Sequence, residues 1–93
     1  MQDEEIVPFL LQRRRSTFFT LDSDFYNHHL CHARYCLVWI DVGQYEAAAF
    51  VRRLLHHQQF DSIAKRMGTI IRVSQTGLAV WRLHAQKAVH LSW

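Results

Sequence analysis

The sequence predicts an α+β domain: a helical hairpin plus a short third helix, followed by a C-terminal β-hairpin. Three observations carry this expectation. Apolar residues recur at helical spacing between Tyr26 and Ile40 and again between Ala47 and Leu55. Gly43 and Gly68 stand where helices of that length would stop. From Thr69 onward the pattern changes to two β-branched and apolar runs separated by Gln75-Thr76-Gly77. With 93 residues, 49% of them hydrophobic, one Pro and three Gly, the chain suits a single small domain over residues 1–93 and neither a repeat array nor a disordered tail.

Residues 1–21 read as an irregular arm or an edge strand. They run from an acidic start, Asp3-Glu4-Glu5, through an apolar patch broken by Pro8 and the basic Arg13-Arg14-Arg15 to a short aromatic, β-branched stretch, Ser16 to Leu21. Ser23 or Asp24 caps the first expected helix, whose apolar positions Tyr26, Leu30, Ala33, Leu37 and Ile40 fall at steps of four and three. Tyr35 to Val42 is also a continuous apolar run that reads as a buried strand; length and capping residues favour the helix. Residues 44–57 give the second helix, with Ala47, Phe50, Val51, Leu54 and Leu55 on one stripe. A third, short helix follows over 62–67. In the hairpin, Ser74 opposite Leu78 would pair Val73 with Ala79 and Ile71 with Trp81, leaving Arg72 and Arg82 together on the outer face. Residues 85–93 would pack back on the domain or on a partner.

The formal net charge of +3 divides unevenly along the chain. Residues 1–46 hold four Arg against seven acids, whereas residues 47–93 hold seven Lys and Arg against Asp61 alone. A basic second half points to an anionic partner, nucleic acid first. No stretch approaches the roughly 20 apolar residues that cross a bilayer, and the acidic start lacks the basic region of a signal peptide, so a cytoplasmic protein with no membrane partner is expected. Cys31 and Cys36 are then expected as reduced thiols.

The order helix, helix, short helix, hairpin resembles the distal part of a winged helix-turn-helix domain over about residues 30–84. Tyr45–Leu55 would be the positioning helix, His56–Gln59 the turn, Phe60–Met67 the recognition helix and Thr69–Leu83 the wing. The resemblance implies a small DNA-binding transcriptional regulator, homodimeric, whose partner is double-stranded DNA or a nucleic-acid-associated protein. By it, Gln59, Ser62, Lys65 and Arg66 would face DNA, and Arg72, Gln75 and Arg82 would reach phosphates. Arg52 and Arg53 add electrostatic capture, because Lys and Arg neutralise phosphates while Gln, Ser and Arg hydrogen-bond base edges.

A competing expectation comes from the aromatics. Phe18, Phe19, Phe25, Tyr35, Trp39, Trp81 and Trp93 exceed what a small core requires, and such residues anchor interfaces; they suggest a protein-binding regulator or inhibitor, of anti-repressor or anti-host type, with an aromatic working surface. On the expected first helix, His28 or His29 with His32 and Cys36 would line one side, with His56 or His57 on the next helix as the fourth donor. No CxxC pair accompanies them, so neither a metal nor another cofactor is expected. No nucleophile elbow, Gly-rich phosphate loop or HExxH motif occurs, and a non-enzymatic protein is expected.

Overall fold

In the computed structural model, which describes residues 16–93, the apolar run Tyr35–Ile40 is a strand and not the end of a helix. The element order is β1 (Ser16–Thr20), two 3-10 turns (Ser23–Phe25 and His28–Leu30), β2 (Tyr35–Ile40), α1 (Ala47–His56), the single turn α2 (Ile63–Arg66), β3 (Thr69–Ser74), β4 (Gly77–Arg82) and β5 (Val89–Ser92). The five strands form one mixed sheet in sequence order. β1, β2 and β3 are parallel, and β4 and β5 follow antiparallel.

β2 lies inside the sheet and is buried on both faces, which accounts for its unbroken hydrophobicity. Cys36, Val38 and Ile40 point to one face with Ile71, Val73, Leu78 and Val80, where Leu54 and Phe60 cover them and Phe50 and Val51 of α1 pack alongside. Tyr35 and Leu37 point to the other with Ile70, under Phe25 and flanked by Tyr26 and Leu30. We call these the helix face and the far face. Short caps fix the segment over the far face: the Asp22 side chain accepts from the Asp24 N–H at 2.9 Å and that of Asn27 from the His29 N–H at 3.0 Å.

Among the described residues the expected helical hairpin is therefore corrected to one main helix on a five-stranded sheet, and the three-helix arrangement of a winged helix-turn-helix domain does not occur. The spacing from Tyr26 to Ile40 mimicked a helix because it joined residues of the 3-10 segment to residues of a two-face-buried strand. The third helix is one turn long, capped by Ser62, whose Oγ accepts from the Lys65 N–H at 3.3 Å. The first fifteen residues of the expected arm, 1–21, lie outside the described residues.

The hairpin register is also corrected, by one residue. Ser74 opposes Gly77 across the two-residue loop Gln75-Thr76, so Ile71 pairs with Val80 and Ile70 with Trp81. The slip puts Arg72, opposite Ala79, on the far face and Arg82, opposite Thr69, on the helix face. Apolar residues on both faces of β3 and β4 left the alternation unable to choose between the two registers.

Gly77 sits in β4 where β5 approaches most closely. A Cβ there would lie 2.2 Å from the Leu91 carbonyl oxygen, which is backbone and cannot swing aside. Gly77→Ala is expected to displace β5 and lower stability by about 1–3 kcal/mol in urea denaturation, with amide protection lost first at Val89–Ser92.

Candidate functional site

Most of the expected DNA-contacting residues are engaged within the fold. The Lys65 ammonium donates to Asp61 at 2.8 Å and to the Gln58 carbonyl at 2.7 Å. Arg66 is only 9% exposed; its guanidinium donates to Thr17 Oγ1 at 3.1 Å and to the Phe60 carbonyl at 2.8 Å, tying α2 to β1. Arg72 donates twice to Asp41, Gln75 donates to Glu46, and Ser62 is a cap. Arg53 stacks on Trp93, 4.4 Å from the ring centroid, and Arg82 lies over Phe60. Arg52 and Gln59 are exposed on α1 and the loop after it. These nine residues are distributed over α1, the loop after it, the α2 segment, the β3–β4 turn and both faces of the sheet. With no recognition helix longer than one turn, the fold overturns a DNA-binding regulator built on a third helix and a wing.

The aromatic surface is overturned as well. Phe25 and Tyr35 are core residues; Phe18 meets Phe25 edge-on at 5.5 Å, and Phe19 packs on the helix-face core. Trp39 lies under Arg72 and beside Tyr26, Trp81 under His28, and Trp93 against Phe50. Among the described residues the large apolar ones that are exposed are Leu21, Tyr45, Ile63 and Val89, none of the seven.

The His/Cys set fails for want of its helix. His28 stacks on Trp81 on the far face, and His32 stacks on Tyr35. Cys36 is buried on the helix face 3.2 Å from Thr69 Oγ1, while His56 hydrogen-bonds the Arg52 carbonyl oxygen. Among the described residues no three His, Cys, Asp or Glu are placed to share a metal ion.

The far face of β3, β4 and β5 does hold a concave polar feature. Register places Arg72, Ala79 and His90 in one row across the three strands, and Ser74, Gly77 and Ser92 in the next. The central strand thus contributes the two smallest side chains, flanked by polar ones, and the result is a trough of about 200 Å³. Arg72, Ser74, Thr76 and His90 supply its polar side chains, and no acid lines it. Its walls stand two strand spacings apart, roughly 10 Å.

Two contacts hold the arginine wall. Arg72 Nε and Nη2 both donate to Asp41 Oδ2, at 2.9 and 2.6 Å, and the guanidinium carbon sits 5.1 Å from the Trp39 ring centroid. Asp41 balances much of the arginine's charge, so the trough acts through directed donors more than through net charge. Ser74 Oγ donates to the Gly77 carbonyl at 3.1 Å, and Trp93 Nε1 donates to the Ser74 carbonyl at 2.8 Å, fixing the closed end of the hairpin.

Arg72 and Ser74 were singled out or noted in the sequence for other reasons; His90, Ser92, Gly77 and Ala79 were missed as a group. The signal was present in Arg72-x-Ser74, Gly77-x-Ala79 and His90-x-Ser92, three alternating pairs, but needed residues 89–92 to be read as a strand. A second groove, of about 410 Å³, lies where β1 and β2 end beside α1. Phe19, Leu21, Ile40, Ala47 and Val51 line it, and it offers little to orient a ligand. No helix of the described residues is long and apolar enough to cross a membrane.

No protein-family model, curated protein or solved structure matches this chain.

Burial pushes the Cys36 thiol from its ordinary 9.0 up to about 11, against the smaller lowering effects of Thr69 and Arg66. An unfolded chain loses this proton first, so the native state gains stability from the neutral thiol below pH 9 and loses it as the pH rises from there to about 11. Denaturation of the wild type and Cys36→Ala between pH 8 and 11 is expected to show the wild type's stability falling more steeply. Iodoacetamide at pH 8 should modify Cys36 only as fast as the protein opens.

Proposed function

We propose that the chain is a non-enzymatic, cytoplasmic binding module that takes an anionic group, phosphate or carboxylate, in the trough over β4. The observation that carries this reading is the pair of in-register rows, Arg72–Ala79–His90 and Ser74–Gly77–Ser92. Side chains that donate hydrogen bonds stand on both sides of a floor too small to fill the space, and no carboxylate lines it. The Arg72 guanidinium, the His90 imidazole and the Thr76 hydroxyl suit a ligand made of acceptor oxygens. Arg72 is held before any ligand arrives, which lowers the entropy lost on binding.

The non-enzymatic part rests on the separation of the reactive side chains. Cys36 is buried with a strongly raised thiol, and the stacked His28 and His32 lie among aromatics outside the trough. No nucleophile among the described residues contacts an imidazole that is itself oriented by a carboxylate. Two free cysteines, one of them buried, support the cytoplasmic assignment.

Titration of isotopically labelled protein with inorganic phosphate, and separately with acetate, is expected to shift the amides of Gly77, Ala79 and His90 in a saturable way. His90→Ala should weaken binding by about 1 kcal/mol, roughly fivefold, and Ala79→Leu should abolish it by filling the floor. Shifts confined to other surfaces, or none with either anion, would remove the proposal.

A further inference from the structure

We infer that β5 is a self-association edge, and that two copies of the chain join β5 to β5 in antiparallel fashion to make a continuous ten-stranded sheet. Val89–Ser92 hydrogen-bonds to β4 along one side, and among the described residues no other main-chain bond reaches the strand. An edge of this kind is normally protected by a charged side chain, a proline or a covering element. Residues 89–92 contain no Lys, Arg, acid or Pro. Val89 is 50% exposed, so the helix face is incompletely covered at this edge. The opposite edge is guarded: all five residues of β1 are partly buried, and Arg66 of α2 binds Thr17 there.

The alternation of β5 identifies a second copy as the occupant. Val89 and Leu91 point to the helix face and His90 and Ser92 to the far face. A two-fold axis along the sheet normal runs the paired strands antiparallel and keeps like faces together. Centred on His90, it sets Val89 against the partner's Leu91, Leu91 against the partner's Val89, and His90 against the partner's His90. The strand is complementary to itself, apolar to apolar and polar to polar, with no carboxylate or ammonium brought together. In this register three of the four residues of β5 pair with their counterparts, a small contact, so the dimer is a concentration-dependent one.

Pairing would set the two troughs side by side on one face, their β4 floors about 14 Å apart by strand spacing. That geometry suits a ligand with two anionic groups. Self-association itself does not depend on what the trough binds.

Sedimentation velocity on the full chain over a hundredfold concentration range tests the inference, with no anion present. A monomer–dimer equilibrium is expected, weakened about tenfold or more by Val89→Lys, with the circular dichroism spectrum unchanged. Under mild oxidation His90→Cys should give an interchain disulfide at concentrations where the wild type, with Cys31 and Cys36, gives none. A chain that stays monomeric throughout and fails to cross-link through position 90 overturns the inference, as does a dimer indifferent to Val89→Lys that also fails to cross-link. Either result leaves the anion titration to stand or fall separately.

Discussion

Burial of β2 on both faces is the constraint on which the remaining architecture depends. Cys36, Leu37 and Val38 are fully inaccessible, and their side chains point alternately to opposite sides of the sheet. A strand buried in this way needs a cover on each face. Leu54 and Phe60 close one side, with Phe50 and Val51 packed alongside; Phe25, with Tyr26 and Leu30, closes the other. Both covers come from connections between parallel strands, residues 21–34 joining β1 to β2 and residues 41–68 joining β2 to β3. Placing each cover beside its strand also accounts for the short polar contacts at the segment ends, among them the Asp22 and Asn27 caps and the Arg66 bond to Thr17.

The same requirement explains where the cations went. The excess of Lys and Arg after residue 46 pointed to an anion-binding surface, but a positive residue count does not separate a side chain facing solvent from one bracing a loop. Arg66 crosses between α2 and β1 and satisfies a loop carbonyl that would otherwise lie buried without a partner. Arg53 and Arg82 lay their planar heads on Trp93 and Phe60, where stacking contributes more than an exposed ion pair would. Arg72 combines both uses and is the one expected contact residue that ends in the candidate site.

The sequence was legible where a single periodicity governed a segment. The stripe of Ala47, Phe50, Val51 and Leu54 belongs to one helix with one buried face, and that helix is present. The two runs after Thr69 are strands for the same reason, since β-branched residues around a tight loop admit little else. Legibility failed where two faces were buried at once. In Tyr35–Ile40 every position is apolar, so no alternation marks a strand, and the longer window drew in Tyr26 and Leu30 from another element. In the hairpin, Ile70 and Ile71 are equally apolar, so a one-residue slip left a plausible core and misplaced Arg82. The trough was hidden behind both errors, because its rows exist only in the true register and with β5 in place.

Topology then explains why a polar trough falls where it does. A parallel connection must cross a face of the sheet, and in crossing it buries the residues beneath. β1, β2 and β3 are joined by such connections, and their far-face residues Tyr35, Leu37 and Ile70 are apolar and covered. β3, β4 and β5 are joined by antiparallel turns that stay at the strand ends, and beyond Trp81, which His28 covers, they leave the far face over Gly77, Ala79 and β5 without a lid. That surface meets water, so selection for burial is relaxed and Arg72, Ser74, His90 and Ser92 can occupy it. The floor is small for a local reason: Leu91 approaches Gly77 too closely to admit a Cβ. With only Ala79 beside it, the middle strand recedes between polar neighbours, and a depression follows from sheet geometry without any loop to shape it.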